Sequence, residues 1–234
     1  MESEINNRLY NNCEGKSIVF QHVCEVGVYL PPTSNVISFI RDNIRTTLVE
    51  PDPKCISSIK EYFKDYQNIH LYPYAIFDHN GTLELVQRNS STFVSTLEAS
   101  PALVNDHYKV EEKDKFTVEC RRFDDIDDGS IDLLSVDTEG CEWYVIKNMK
   151  SRPAVISIET HGKGYVNPFY SEICSWIAEN GYSLWYKDGS DSVYFKNGLF
   201  KLSIPEKISL KAMDIRLSYR RWKHQCKSKI KSMW

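Results

Sequence analysis

From about residue 20 onward, short apolar and β-branched runs alternate with helical periodicities, the pattern of a parallel sheet wrapped by helices. "HVCEVGV" predicts the first strand, and "SNVISFIRDNI" the helix after it, with Ser34 or Asn35 as its N-cap. "TTLVE" predicts a second strand ending at Glu50, followed by a helix over "PDPKCISSIKEYFKDY" with proline near its start, where proline costs least. "NIHLYPYAI" reads as a third strand, and "GTLELVQ" as an added strand or hairpin behind the turn signal "DHNG". Residues 88–115 have weak periodicity and read as irregular loop with one short helix, before a strand at "FTVECRRF". "IDLLSVD" at 131–137 is the clearest core strand, followed by a helix over "TEGCEWYVIKNM" and a strand at "AVISIET". A helix over "PFYSEICSWIAENGY" stops at Gly181, and "SLWYKD" and "DSVYFKNG" form a closing hairpin. The fold class is therefore α/β, a doubly wound sheet with an antiparallel end.

The acidic run "DDIDDG" at 124–129 lacks calcium-loop spacing and reads as a solvated helix end or turn. The seven cysteines are scattered without a C-x-x-C pair, which argues against a disulfide framework or zinc site and for a reducing cytoplasm. No apolar stretch approaches the roughly 18 residues of a membrane span, and "MESEINNRLYNN" has no secretory-signal pattern. The N-x-S/T triplets at Asn80 and Asn89 matter only in a secreted protein.

The net charge of -3 conceals an asymmetry: residues 201–234 carry ten Lys/Arg against Glu206 and Asp214, leaving 19 against 30 in residues 1–200. An acidic body argues against a nucleic-acid platform there. Residues 1–200 are expected to form one domain and residues 201–234 a basic helical extension. In that extension Ile208, Ala212, Ile215, Tyr219, Trp222, Cys226, Ile230 and Met233 recur at steps of three or four. Such a stripe suits packing on the domain or on a second copy of the chain. It also suits a peripheral contact with an anionic membrane or an acidic acceptor.

In open α/β sheets, ligands sit beyond the carboxyl ends of the strands, which here carry Glu25 and Gly27, Glu50, Ala75 and Ile76, Asp137 and Glu139, and Glu159 and His161. Glu50 lies 23 residues after Gly27, a spacing that suits a carboxylate accepting from a ribose diol. A dinucleotide needs close backbone approach to its pyrophosphate, which G-x-G-x-x-G supplies and "GVYLPP" does not. S-adenosylmethionine has no phosphate, and an acidic lining suits its sulfonium and ammonium groups.

"IDLLSVDTEGCEWYVIKNM" resembles the D-L-L-x-x-D-x-E-G-x-E signature of the FkbM family of S-adenosylmethionine-dependent methyltransferases. "LVEPDP", "YAIFDHNGTLEL" and "VISIETHG" follow that family's order, and the similarity covers roughly residues 20–197. The resemblance implies a Rossmann-like class I methyltransferase fold, with sheet order 3-2-1-4-5-7-6, and methyl transfer to oxygen. It places Glu25 and Gly27 at the methionine end of the cofactor, Glu50 at the ribose, Ala75 and Ile76 at the adenine, and Asp137 beside the reacting centre. Pro31 departs from the family, which commonly has glycine there.

An alcohol acceptor holds its proton far above neutral pH, so a general base or a metal must assist. His161, with a pKa near about 6.5, suits the base, with Glu159 orienting it. Asp137, Glu139 and Glu159 are expected to converge and would suit a divalent cation, although a metal-free site is favoured. "QRNSSTFVSTLEAS", with Phe93, Tyr165, Phe169 and Tyr170 nearby, suits a sugar, glycan or related small-molecule acceptor, or is a polar surface loop. The alternative from another class is a non-catalytic nucleoside-binding module that acts through partner or membrane contacts of its basic tail.

Overall fold

A computed structural model describes residues 8–88, 91–96, 100, 103–104, 110–162 and 165–231. Its main sheet has seven strands: β1 (His22–Val26), β2 (Arg45–Val49), β3 (Ile69–Tyr72), β8 (Leu133–Val136), β9 (Val155–Glu159), β10 (Tyr182–Asp188) and β11 (Asp191–Lys196). They lie in the order β3-β2-β1-β8-β9-β11-β10, with β11 antiparallel to both neighbours. This is the expected 3-2-1-4-5-7-6 arrangement. Every residue of β1, β8 and β9 is buried, as in parallel strands covered on both faces. Alternate side chains feed two cores: Val23, Leu133 and Val155 pack with Phe39 and Ile40, while Cys24, Leu134 and Ile156 pack with Ile146 and Ile173.

Strand register decides what the sheet presents at its carboxyl edge. Val26 lies opposite both Val49 and Val136, and Val136 opposite Ile158. The residues that follow, Gly27, Glu50, Asp137 and Glu159, therefore fall in one row across four adjacent strands.

Helix α1 spans Arg8–Gly15 and α2 Ile37–Arg41. The expected start of α2 at Ser34 or Asn35 is displaced, because both residues bond Glu25 instead, and Pro31–Thr33 forms a 3-10 turn. Helix α3 (Pro53–Tyr62) has Asp52 as N-cap, accepting from the Lys54 N–H at 2.8 Å. Helices α4 (Glu142–Ile146) and α5 (Tyr170–Glu179) precede β9 and β10, and Gly181 follows α5 at φ +77°.

The segment expected as one third strand is two. Pro73 follows β3 and removes a ladder donor, and the chain leaves the main sheet. β4 (Ala75–Ile76), β5 (Gly81–Arg88), β6 (Ser91–Val94) and β7 (Lys115–Arg121) build a second sheet in the order β4-β7-β5-β6. The expected loop over 88–115 thus contains strand β6 and a 3-10 turn at Glu112–Asp114; several of its residues lie outside the described ones. Asp127, expected as part of a solvated acidic run, is instead buried and accepts from the N–H groups of Gly129, Lys150 and Ser151.

Helix α6 runs from Ile204 to Lys231. The predicted stripe does not pack on the body where its side chains are described: Ile208, Ile215 and Tyr219 are 62%, 71% and 57% exposed. The opposite face docks, through buried Leu217, half-buried Leu210 and Met213, and Glu206, which accepts from Trp185 Nε1 and Lys16 Nζ. The side chains of Trp222, Cys226 and Ile230, and all of Met233, lie outside the described ones. Among the described residues, no helix is long and apolar enough to cross a membrane.

Candidate functional site

A cavity of about 360 Å³ opens at the carboxyl edge of the main sheet, within the range of about 300–1,000 Å³ usual for small-molecule sites. Glu25, Gly27, Glu50, Ala75, Ile76 and Asp137, all expected to bind a cofactor, line it. The second sheet closes it with Leu85, Thr92, Phe93 and Val94.

Gly27 is fixed by contact rather than by flexibility alone. Its φ is +85°, and a Cβ there would lie 1.8 Å from the main-chain oxygen of Asp137. That closeness lets Asp137 N–H donate to the Val26 carbonyl at 2.9 Å, while on the other side of β1 Gly27 N–H donates to the Val49 carbonyl at 2.9 Å. Tyr29 (φ +56°) and Glu139 (φ +57°) also line the cavity in left-handed backbone, which costs a non-glycine residue about 1–2 kcal/mol.

Glu25 accepts from Ser34 Oγ at 2.5 Å and from the Asn35 N–H at 2.7 Å, which ties the Pro31–Pro32 segment to β1. Burial pushes its carboxyl up to about 8. Glu50 accepts from the Tyr29 N–H at 2.8 Å and the Asp52 N–H at 2.9 Å, and burial pushes it up to about 7. The two acids thus hold the ends of one loop, and the prolines between them form a short, pinned turn.

Deeper in, Asp137, Glu142 and Glu159 place carboxylate oxygens within 4.8 Å of one another. Glu142, not the expected Glu139, completes the trio. Glu142 Oε1 accepts from the N–H groups of Thr138 (2.8 Å) and Gly140 (3.2 Å), and its Oε2 from Asn167 Nδ2. It braces the turn that carries Glu139. Burial raises all three carboxyls, Glu142 to about 7, and the nearby charges of Asp137 and Glu142 raise Glu159 further. Asp191, at the start of β11, is also buried and feels the charge of Asp137, its carboxyl pushed up to about 8 mainly by burial.

A sequence profile of the methyltransferase FkbM domain matches residues 19–184. The chain belongs to the FkbM methyltransferase family. No curated protein matches it in sequence. Solved structures similar to it include an FkbM methyltransferase from Methylobacillus flagellatus KT, 13% identical, covering 76% of this chain at a TM-score of 0.48. This chain spans 44% of that protein's length. The methyltransferase domain of bacterial CtHen1 is 14% identical over 81% of this chain and 97% of its own (TM-score 0.44). For the precorrin-6y C5,15-methyltransferase of Geobacter metallireducens GS-15 the values are 12%, 80%, 86% and 0.37.

In this member of the FkbM family the last three acids of the family signature take different places. Asp137 ends a strand and opens on the cavity, Glu139 lines it, and Glu142 turns inward to brace the loop. His161 is not brought to the cavity. It is 7% exposed, its Nδ1 lies 2.8 Å from Thr160 Oγ1, and it lines a separate void of about 20 Å³ with Tyr170, Lys187 and Leu217. Of the polar loop expected over the site, Thr92 and Phe93 line the cavity, and Gln87 bonds Asp52 and Lys54; residues 89–90 and 97–99 lie outside the described ones. Sequence reasoning missed Glu142, Asn167 and Asp191. Glu142 was legible as the last acid of the signature, at the first position of a helix, but the other two arrive from distant segments with no local signal.

Proposed function

We propose that this FkbM methyltransferase moves a methyl group from S-adenosylmethionine to a hydroxyl of a sugar, glycan or related small molecule. The observation that carries the reading is the cavity at the strand ends, lined by Glu25, Glu50 and Asp137 together with Val49, Ala75, Ile76 and Phe93. Buried carboxyls suit a cationic ligand, and the apolar wall suits an adenine. Glu50 has acceptor capacity beyond its backbone partners, since a carboxylate offers about four lone-pair sites, and the remainder suits a ribose hydroxyl. Gly27 gives the main chain close approach beside the methionine end.

The bound cofactor would supply an electrophilic methyl group on sulfur. The chain's own part is to orient the acceptor oxygen in line and to take its proton. Asp137 does the second: it opens on the cavity, and burial raises its carboxyl toward the range where a carboxylate is an effective base at neutral pH. Glu159, a positioning residue, holds a carboxylate oxygen within 4.8 Å of Asp137 and Glu142 behind it. His161, expected as the base from its place in the sequence, has no such role in this reading.

The test is incubation with isotopically labelled S-adenosylmethionine and pools of hydroxylated small molecules and glycans, read by mass spectrometry. Labelled methyl ethers are expected. Tight binding of S-adenosylhomocysteine without turnover on any pool would leave a binding module instead. Asp137→Asn is expected to lower turnover about 10²–10⁴-fold, the usual worth of a general base, while His161→Ala stays within a few-fold.

A further inference from the structure

We propose that α6 is an interfacial helix that docks this protein onto an anionic lipid surface. Ile204, Ile208, Ile215 and Tyr219 are 74%, 62%, 71% and 57% exposed. At 3.6 residues per turn they fall within about 60° of one another around the axis, so they form one outward stripe. The helix is not loose: Leu217 is buried against the body, and Glu206 is fixed by Lys16, Trp185 and Ser203. The stripe therefore faces away because the other face is already used.

Charge selects the occupant. Both acids of the segment are committed to the body, Glu206 to Lys16 and Asp214 to Lys187 at 2.7 Å. Lys207, Lys211, Arg216 and Lys223 are exposed, and the sequence from 201 to 234 holds ten Lys/Arg in all. On a helical wheel Lys207 and Lys211 fall on one flank of the stripe and Arg216 and Lys223 on the other. An aliphatic stripe between basic flanks matches the acyl boundary and the headgroups of an anionic bilayer. A nucleic acid would use the charges but gains nothing from outward isoleucines, and a second copy of the chain would bring a like-charged helix against this one.

The experiment is co-sedimentation of the full chain with vesicles of phosphatidylcholine alone or with phosphatidylserine. Binding is expected only with the anionic lipid, falling as salt rises. The double substitution Ile208→Glu and Ile215→Glu is expected to weaken partition roughly tenfold or more while leaving the melting temperature and helical circular dichroism unchanged, since both side chains are exposed. Equal binding to both vesicle types, or no binding, overturns the proposal. So does a concentration-dependent dimer abolished by the same pair of substitutions, or binding to single-stranded nucleic acid in the absence of binding to vesicles.

Discussion

Replacing Gly27 by alanine should separate two strands that nothing else can bring so close. The new Cβ would stand 1.8 Å from the Asp137 carbonyl oxygen and 2.7 Å from its carbon, where side-chain carbons essentially never come within 3.0 Å of another heavy atom. The ends of β1 and β8 must part by 1.2 Å or more. The hydrogen bond of 2.9 Å between them, Asp137 N–H to Val26, is then lost or stretched, worth about 0.5–1.5 kcal/mol net. Holding alanine at a left-handed φ adds about 1–2 kcal/mol. The total is about 1.5–3.5 kcal/mol, or about 7 °C in melting temperature for a chain of this length. Thermal and urea melts measure it, and calorimetry with S-adenosylhomocysteine measures the accompanying loss of affinity. Gly15→Ala is the control, because a Cβ there meets nothing within 4 Å. A Gly27→Ala protein that melts within about 2 °C of the parent, a loss of less than about 1 kcal/mol, would refute the reasoning.

Glu142→Ala strips acceptors from Thr138, Gly140 and Asn167 and should cost about 3 kcal/mol in urea denaturation, with Glu142→Gln costing less because it keeps one acceptor oxygen. Stability of the ligand-free protein should fall with rising pH: burial holds Glu50 and Glu142 at about 7 and Glu25 and Asp191 at about 8, above their unfolded values of 4.5 and 3.8. The folded state then binds more protons between about pH 4.5 and 8, so its advantage is complete below that window and declines through it. Melting temperatures at pH 5 and pH 8 check this, and a higher value at pH 8 contradicts it. Leu217→Ala should release α6 while sparing the sheet, seen as faster proteolysis after residue 204 with little change in the main melting transition.

The central strands of the main sheet were legible because they are buried on both faces and so appear as nearly continuous apolar runs, as in "VCEV", "LLSV" and "VISIE". The acids after those runs were legible for the same reason: a charged residue ending a core strand must stand at the sheet edge. What escaped was long-range. A two-residue strand such as Ala75–Ile76 has no periodicity of its own, and its partner β7 lies more than 40 residues away. His161 shows the limit of placing residues by rank order. Standing two positions beyond Glu159, it has already turned aside with the bridge to Val166. The C-terminal stripe was correctly read as periodic, but periodicity does not say which face docks. That was decided by Leu210, Met213 and Leu217, which form a second apolar row on the opposite side.

The cavity wall is divided between two sheets, with Val49 and Asp137 from the larger and Leu85, Phe93 and Val94 from the smaller. A ligand held there is a rivet between two cooperative units. Whatever it gains by touching the smaller sheet it must lose each time that sheet opens, so local opening of β5 and β6 becomes costlier by the free energy of those contacts. Occupancy would then be written in the amide exchange of strands far from any reacting atom, and the rate at which the small sheet lifts would set an upper limit on how fast a trapped product can leave.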